Sequence, residues 1–335
     1  MTGAFRRLSA LLIVSAATGC DNVEWGGVDV RLEPPPPALV GAPPDTATEA
    51  VPVAEELPRA PYLYMGQRDS SGVRLVPVGA IMRDSLIAFP SESVSPGYRN
   101  RFVRELLPQG TELVLFAEGV RVGSFTSTSV STDDSFCVPR PVVRGIAELI
   151  PEALEVERFL AVPRQHVDSG GWGSLAPQET DRDQRDASTR LAADVLTQVG
   201  AEFPGDILNS RWDLQPFLPG GEGPSSFAAT YLVRDRMLIE RPPPSAYSLF
   251  MLAGLVEGTY QPVYIWYREA AREGKGAPRF FEQFDWDGDG QAEVLLEVLG
   301  EAHRWTAALD YKDGQWTRVH QDPCGAAAPP VGAPS

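Results

Sequence analysis

Residues Arg279–Leu299 read RFFEQFDWDGDGQAEVLLEVL. Two apolar runs, Arg279–Phe284 and Ala292–Leu299, flank an acidic centre, and their aromatic and β-branched content reads as strand. Within the centre Asp285, Asp287 and Asp289 alternate, Gly288 and Gly290 intervene, and Glu293 closes the run. Carboxylates at alternate positions converge on one point only if the backbone coils tightly, and glycine permits the coil because it tolerates positive φ. A hard cation that takes about six to eight oxygens suits such a coil, Ca²⁺ above all. The flanks decide the fold class. A helix–loop–helix calcium hand needs helices there and a Glu at position twelve of the loop, where this chain has Leu296. A loop between strands is the reading.

The same period-two pattern extends on both sides of the loop. Arg304–Asp310 and Gln315–His320 form a hairpin around Lys312-Asp313-Gly314, because Asp-Gly favours the tight turn that matches strand twist. Upstream, Phe227–Arg234 with Met237–Glu240, and Tyr247–Val256 with Gln261–Ala270, read as further strands. Asp186–Phe203 reads as a helix with an apolar stripe of Leu191, Val195, Leu196 and Val199, capped by Asp186 or Ser188 and stopped by Pro204-Gly205. Residues 186–325 are thus an α+β domain, an antiparallel sheet with one packed helix.

Residues 60–163 read as a separate β-rich domain, a small barrel or sandwich. Tyr62–Met65, Gly72–Val78 and Ser85–Phe89 are short strand runs, and Thr111–Phe116 with Val120–Thr126 make a hairpin around Glu118-Gly119. Ile146–Leu160 carries helical apolar spacing, with Pro151 in its first turn. Residues 164–185, polar and Gly/Asp-rich, read as the linker between the domains.

The acidic centre, Asp-x-Asp-Gly-Asp-Gly-x-x-Glu from Asp285 to Glu293, resembles the calcium loops between strands of FG-GAP and related propeller repeats. That resemblance implies Ca²⁺ held by Asp285, Asp287, Asp289 and Glu293 with a loop carbonyl. It covers a single copy, and a propeller needs several blades. The implied role is structural, the ion pinning the sheet.

Met1–Gly19 has a basic start (Arg6, Arg7), an apolar stretch Leu8–Ala16 and a small-residue site Ala17-Thr18-Gly19 before Cys20, the layout of a signal peptide. Thr18-Gly19-Cys20 resembles the lipid-attachment box of bacterial lipoprotein precursors, although Ala17 stands where that family has Leu. The resemblance implies diacylglycerol on Cys20 and a place in the bacterial envelope, facing the periplasm or exterior. Residues 20–59, with Pro34–Pro37 and Pro43-Pro44, cannot bury a core and favour an extended tether. Residues 326–335 read as a disordered tail. Of three cysteines, Cys137 and Cys324 remain after Cys20, and in an exported protein an even pair points to a disulfide.

The 29 Lys and Arg face 45 Asp and Glu, a net charge of −16, which argues against a nucleic-acid partner. His166, His303 and His320 have no zinc spacing, and no nucleophile elbow or phosphate-binding loop is present. Tyr260, Tyr264 and Trp266, with Trp286, Trp305 and Trp316, serve either as sheet core or as an aromatic platform, and core is the simpler use. The sequence therefore describes an exported, lipid-anchored envelope protein without catalytic residues. It reads as a binding or assembly module for an envelope protein or glycan. The alternative is an envelope hydrolase using carboxylates or Ca²⁺ between the two domains.

Overall fold

The computed structural model describes residues 57–323 apart from 58, 71, 84, 90–95, 168–174, 176–177 and 221–224. The stretches read as signal peptide, as tether up to residue 56 and as tail, together with Cys20 and Cys324, lie outside the described residues, which all belong to one compact unit.

The first half is a barrel. Its strands are β1 (Tyr62–Asp69), β2 (Gly72–Met82), β3 (Ser85–Ala88), β4 (Glu112–Ala117), β5 (Val120–Asp133), β6 (Arg140–Leu149) and β7 (Arg158–Pro163). Six of them run β1-β7-β4-β5-β6-β2 and close because β2 also pairs with β1, while β3 extends from β2. Every pairing is antiparallel, and closure leaves no free edge among the six. Tyr62, Tyr64, Leu75, Leu115, Phe125 and Phe159 fill the interior. Helix α1 (Pro96–Leu106) adds Tyr98 and Phe102 to that core, with the Phe102 ring edge-on to Tyr62 at 4.8 Å. α1 has few apolar positions and gave no signal in the sequence.

Ile146–Leu160 is not a helix. It is the end of β6, a 3-10 turn at Pro151–Ala153 and the first half of β7. The helical spacing is outweighed by pairing, for β6 pairs with β5 along ten residues and β7 bridges β1 to β4. Ile146, at 64% exposure, sits on the outer face of its strand and buries nothing.

The second half comprises α2 (Arg182–Gln198) and two four-stranded antiparallel sheets. One sheet contains β8 (Arg211–Phe217), β9 (Ser226–Val233), β10 (Tyr247–Val256) and β11 (Thr259–Glu269), in the order β11-β10-β9-β8. The other follows chain order through β12 (Ala277–Phe284), β13 (Glu293–Leu299), β14 (Arg304–Lys312) and β15 (Gln315–Gln321). α2 begins within the stretch read as linker, because Asp181 and Gln184 form a reciprocal capping box. Met237–Glu240 is a loop rather than a strand. Pro242-Pro243-Pro244 follow it and offer no N–H to a ladder.

Packing stacks these elements in layers. α2 lays Leu191, Ala192, Val195 and Leu196 on Ala229, Tyr231, Leu249 and Met251. The opposite face of that sheet, with Ala228, Phe250 and Leu252, packs on Val294, Leu296, Val298, Ala307 and Leu309. Beyond it, Phe281, Trp286, Leu295 and Ala308 meet Leu63, Met65, Val76 and Leu160 on the outside of the barrel. The β12–β15 sheet is therefore covered on both faces, and every residue of β13 is buried. Transferring such apolar surface from water stabilises by roughly 25 cal/mol per Å². Trp266, Trp286, Trp305 and Trp316 are all buried, so these rings are core.

A buried ion pair and a buried hydrogen bond tie the end of the last sheet to the barrel. Arg140 of β6 pairs with Asp322 just beyond β15, and its guanidinium also donates to the Pro77 carbonyl at 2.7 Å. His320 donates from Nδ1 to the Leu86 carbonyl (2.9 Å), and burial lowers its pKa and keeps it neutral. Cys137 is disulfide-bonded.

Candidate metal site

β12 and β13 pair as far as Phe284 opposite Glu293, and the acidic segment closes the hairpin between them. The coil is built by carboxylates accepting from backbone N–H groups. Asp285 accepts from Gly288 (2.7 Å) and Gly290 (3.0 Å), Asp287 from Asp289 (3.1 Å), and Asp289 from Gln291 (2.7 Å). Gly288 and Gly290 take φ of 82° and 89°, where a β-carbon would be strained. At the base, Glu293 accepts from the Trp286 N–H at 3.0 Å. The buried Trp286 ring packs against the barrel side and anchors the coil.

Carboxylate oxygens of Asp285, Asp287 and Asp289 lie within 4.8 Å of one another, and so do those of Asp287, Glu293 and Asp310. Asp287 belongs to both groups. The structure thus brings together all four residues singled out from the sequence and adds a fifth, Asp310, which follows the apolar run Trp305–Leu309 near the end of β14. Asp310 and Glu293 are 2% and 1% exposed, so this is the floor of the site rather than a solvated rim. Burial pushes the Glu293 carboxyl up to about 8, with Asp287 and Asp310 adding repulsion. Burial also raises Asp287, reinforced by Asp289, Asp310 and Asp285. The cation facing this group is the Lys312 ammonium, 2.9 Å from Asp310. Oxygen-only donors at this density suit a hard divalent cation such as Ca²⁺.

Beside the loop runs a cleft of about 310 Å³ between the β4–β5 turn, the β8–β9 connection and the end of β12. The acidic loop forms one of its walls, and Ala292 N–H donates to the Pro219 carbonyl at 2.6 Å. Glu118 on the β4–β5 turn lines it, and its pKa is raised by burial, partly offset by a hydrogen bond from the Gln178 N–H. Behind Glu118, the buried Glu282 accepts from the Glu118 N–H at 2.9 Å, and burial pushes its carboxyl to about 8. Glu282 and Gln283 directly precede the loop in the chain, whereas nothing in the sequence marked Glu118, 164 residues from Glu282, as their neighbour. His166 and His303 stand apart from the site, and Cys20 and Cys324 lie outside the described residues. Compared with known protein families, curated proteins and solved structures, the chain matches none.

Proposed function

We propose that this is a lipid-anchored protein of the bacterial envelope that acts as a non-catalytic binding or assembly module, with a Ca²⁺ ion setting the shape of its acidic loop. The observation that carries the reading is the convergence of Asp285, Asp287, Asp289, Glu293 and Asp310, with the Lys312 ammonium the one cation paired with them among the described residues. Like charges packed this closely in a buried floor repel one another, and a divalent cation relieves that repulsion while filling the coil. A melt of the full chain in Ca²⁺ against chelator tests it. Ca²⁺ at one hundred times its Kd adds about 2.7 kcal/mol of stability. Asp287→Ala should abolish the rise, and a wild type indifferent to Ca²⁺ would sink the metal reading.

The anchor is carried by the Thr18-Gly19-Cys20 box and the proline-rich residues 20–59. Metabolic labelling with a fatty-acid analogue, lost in Cys20→Ser, tests it. The Cys137–Cys324 pairing is supported by backbone neighbours. The Cys137 N–H donates to the Arg304 carbonyl, and the Asp322 N–H donates to that of Thr306, two residues along the same strand. Peptide mapping without reduction should recover the two cysteines in one linked peptide.

A hydrolase is the second reading, favoured by one observation: Glu118 lines a cleft beside the loop with a raised pKa, as a general acid would. Turnover of chromogenic esters or glycosides that Glu118→Gln abolishes would establish it over the binding module.

A further inference from the structure

The cleft beside the acidic loop has a chemical bias that goes further than its shape. Gln283 sits on β12 at 3% exposure and lines the cleft, yet its side-chain Oε1 is buried with no hydrogen-bond partner among the described residues. A buried amide oxygen without a donor costs about 1–3 kcal/mol, and native proteins seldom leave one without a water, ion or ligand group to donate to it. The other polar side chains on the wall are the Glu118 and Asp285 carboxylates and the Gln178 amide. Among the described residues lining the cleft there is no Lys, Arg or His.

We propose that this cleft binds a protonated amine. An ammonium brings donors and no acceptor, which is what Gln283 Oε1 lacks and what two carboxylates favour electrostatically. The negative field persists with the loop loaded. Five carboxylates against Lys312 and one divalent cation still leave negative charge behind the wall. The turn that presents Glu118 is rigid. Glu118 and Gly119 take φ of 49° and 76°, the Glu118 N–H is held by Glu282, and the Glu118 carboxylate is held by the Gln178 N–H at 3.2 Å. A site on a locked turn loses little entropy when it closes on a ligand. Its volume admits a small molecule or the end of a side chain, so the amine is either free or carried by a polypeptide as a lysine or an N-terminus.

The inference rests on the binding-module reading but not on calcium, and the test separates the two. The full chain is titrated with n-butylamine, with a lysine-bearing tripeptide and with uncharged n-butanol, each in Ca²⁺ and in chelator. Saturable binding of butylamine and not of butanol is the expected result. Tighter binding of the tripeptide would assign the amine to a polypeptide, and butylamine alone would assign it to a free metabolite. Gln283→Leu and Glu118→Gln should each weaken the amine roughly tenfold, the scale of one hydrogen bond to a charged group. Glu118 is half-buried on a turn between strands rather than inside β12, so its isosteric variant keeps the test alive if Gln283→Leu fails to fold. Equal binding of butanol, an unchanged affinity in both variants, or no saturation at about 0.1 M amine, far above a millimolar Kd, would overturn the proposal. Amine binding lost everywhere while Ca²⁺ still raises the melting temperature defeats the cleft alone. Amine binding without any response to Ca²⁺ defeats the metal alone.

Discussion

Glu293 and Glu297 occupy the same strand, point to the same side of it by the two-residue period, and are each 1% exposed, yet their surroundings are opposite. Burial alone would raise Glu297, but Arg279 and Arg304 pull its carboxyl below the ordinary value. Arg279 donates to it from Nε at 2.7 Å, and Arg304 from Nη1 at 2.7 Å. Arg304 also holds Asp133 of the barrel and stacks over the Phe136 ring at 4.2 Å. Glu293, four residues earlier, faces Asp287 and Asp310 and is pushed up to about 8. One end of β13 carries its counter-charges in the chain. The other end is arranged to take its counter-charge from outside, and that difference separates a structural ion pair from a candidate site.

The largest effect should come from breaking the self-sufficient end. Arg304→Ala leaves Glu297 and Asp133 short of a partner across the barrel–sheet boundary, and should cost about 3–5 kcal/mol in urea unfolding, with or without Ca²⁺. An effect below ~1 kcal/mol would mean that the network is solvated and the contrast unfounded. At the other end, Asp310→Asn should lower Ca²⁺ affinity by at least roughly tenfold, the scale of a metal-site partner, read as a loss of the Ca²⁺-dependent melting shift. An unchanged shift would confine the ion to the outer group of Asp285, Asp287 and Asp289.

A smaller and opposite change is expected of Glu293→Gln. In chelator above pH 8, where the Glu293 carboxyl is ionised, it should stabilise the protein by about 1 kcal/mol, since the buried charge disappears while an acceptor for Trp286 N–H remains. In Ca²⁺ it should destabilise relative to wild type. The smallest effect is on pH dependence. The folded-state pKa of Glu293 lies above its unfolded one, so the folded chain binds this proton more tightly. Its contribution to stability is whole below the unfolded value and is lost as pH rises towards about 8. Metal needs the carboxylate, so the Ca²⁺-dependent melting shift should grow over the same rise. Glu297, with its lowered pKa, contributes stability that is lost as pH falls. Melts at several pH values in chelator, comparing wild type with Glu293→Gln, isolate the first trend. A variant that retains the full slope would assign it elsewhere, to Glu282 first.

Local patterns carried much of the architecture. The Asp313-Gly314 turn takes φ of 53° and 82°, the mirror-image geometry that its sequence announces. The β4–β5 hairpin and the strands around the acidic loop likewise follow period-two patterning. Ile146–Leu160 misled because a short apolar run fits both periods, and the partner strands decided between them.

The sequence by itself determined the loop, its flanking strands, the tight turns and the β-rich class, because each depends on residues within a few positions of one another. Only the tertiary structure decided which buried acids meet cations. It placed Asp310 under Asp287, gave Glu297 its arginines, and brought the Glu118 turn to Glu282 across 164 residues of chain. The physical reason is the range of the interaction. Backbone preference and side-chain alternation are written into neighbouring residues, whereas the charge around a buried carboxylate is set by whichever strands the layers press against it.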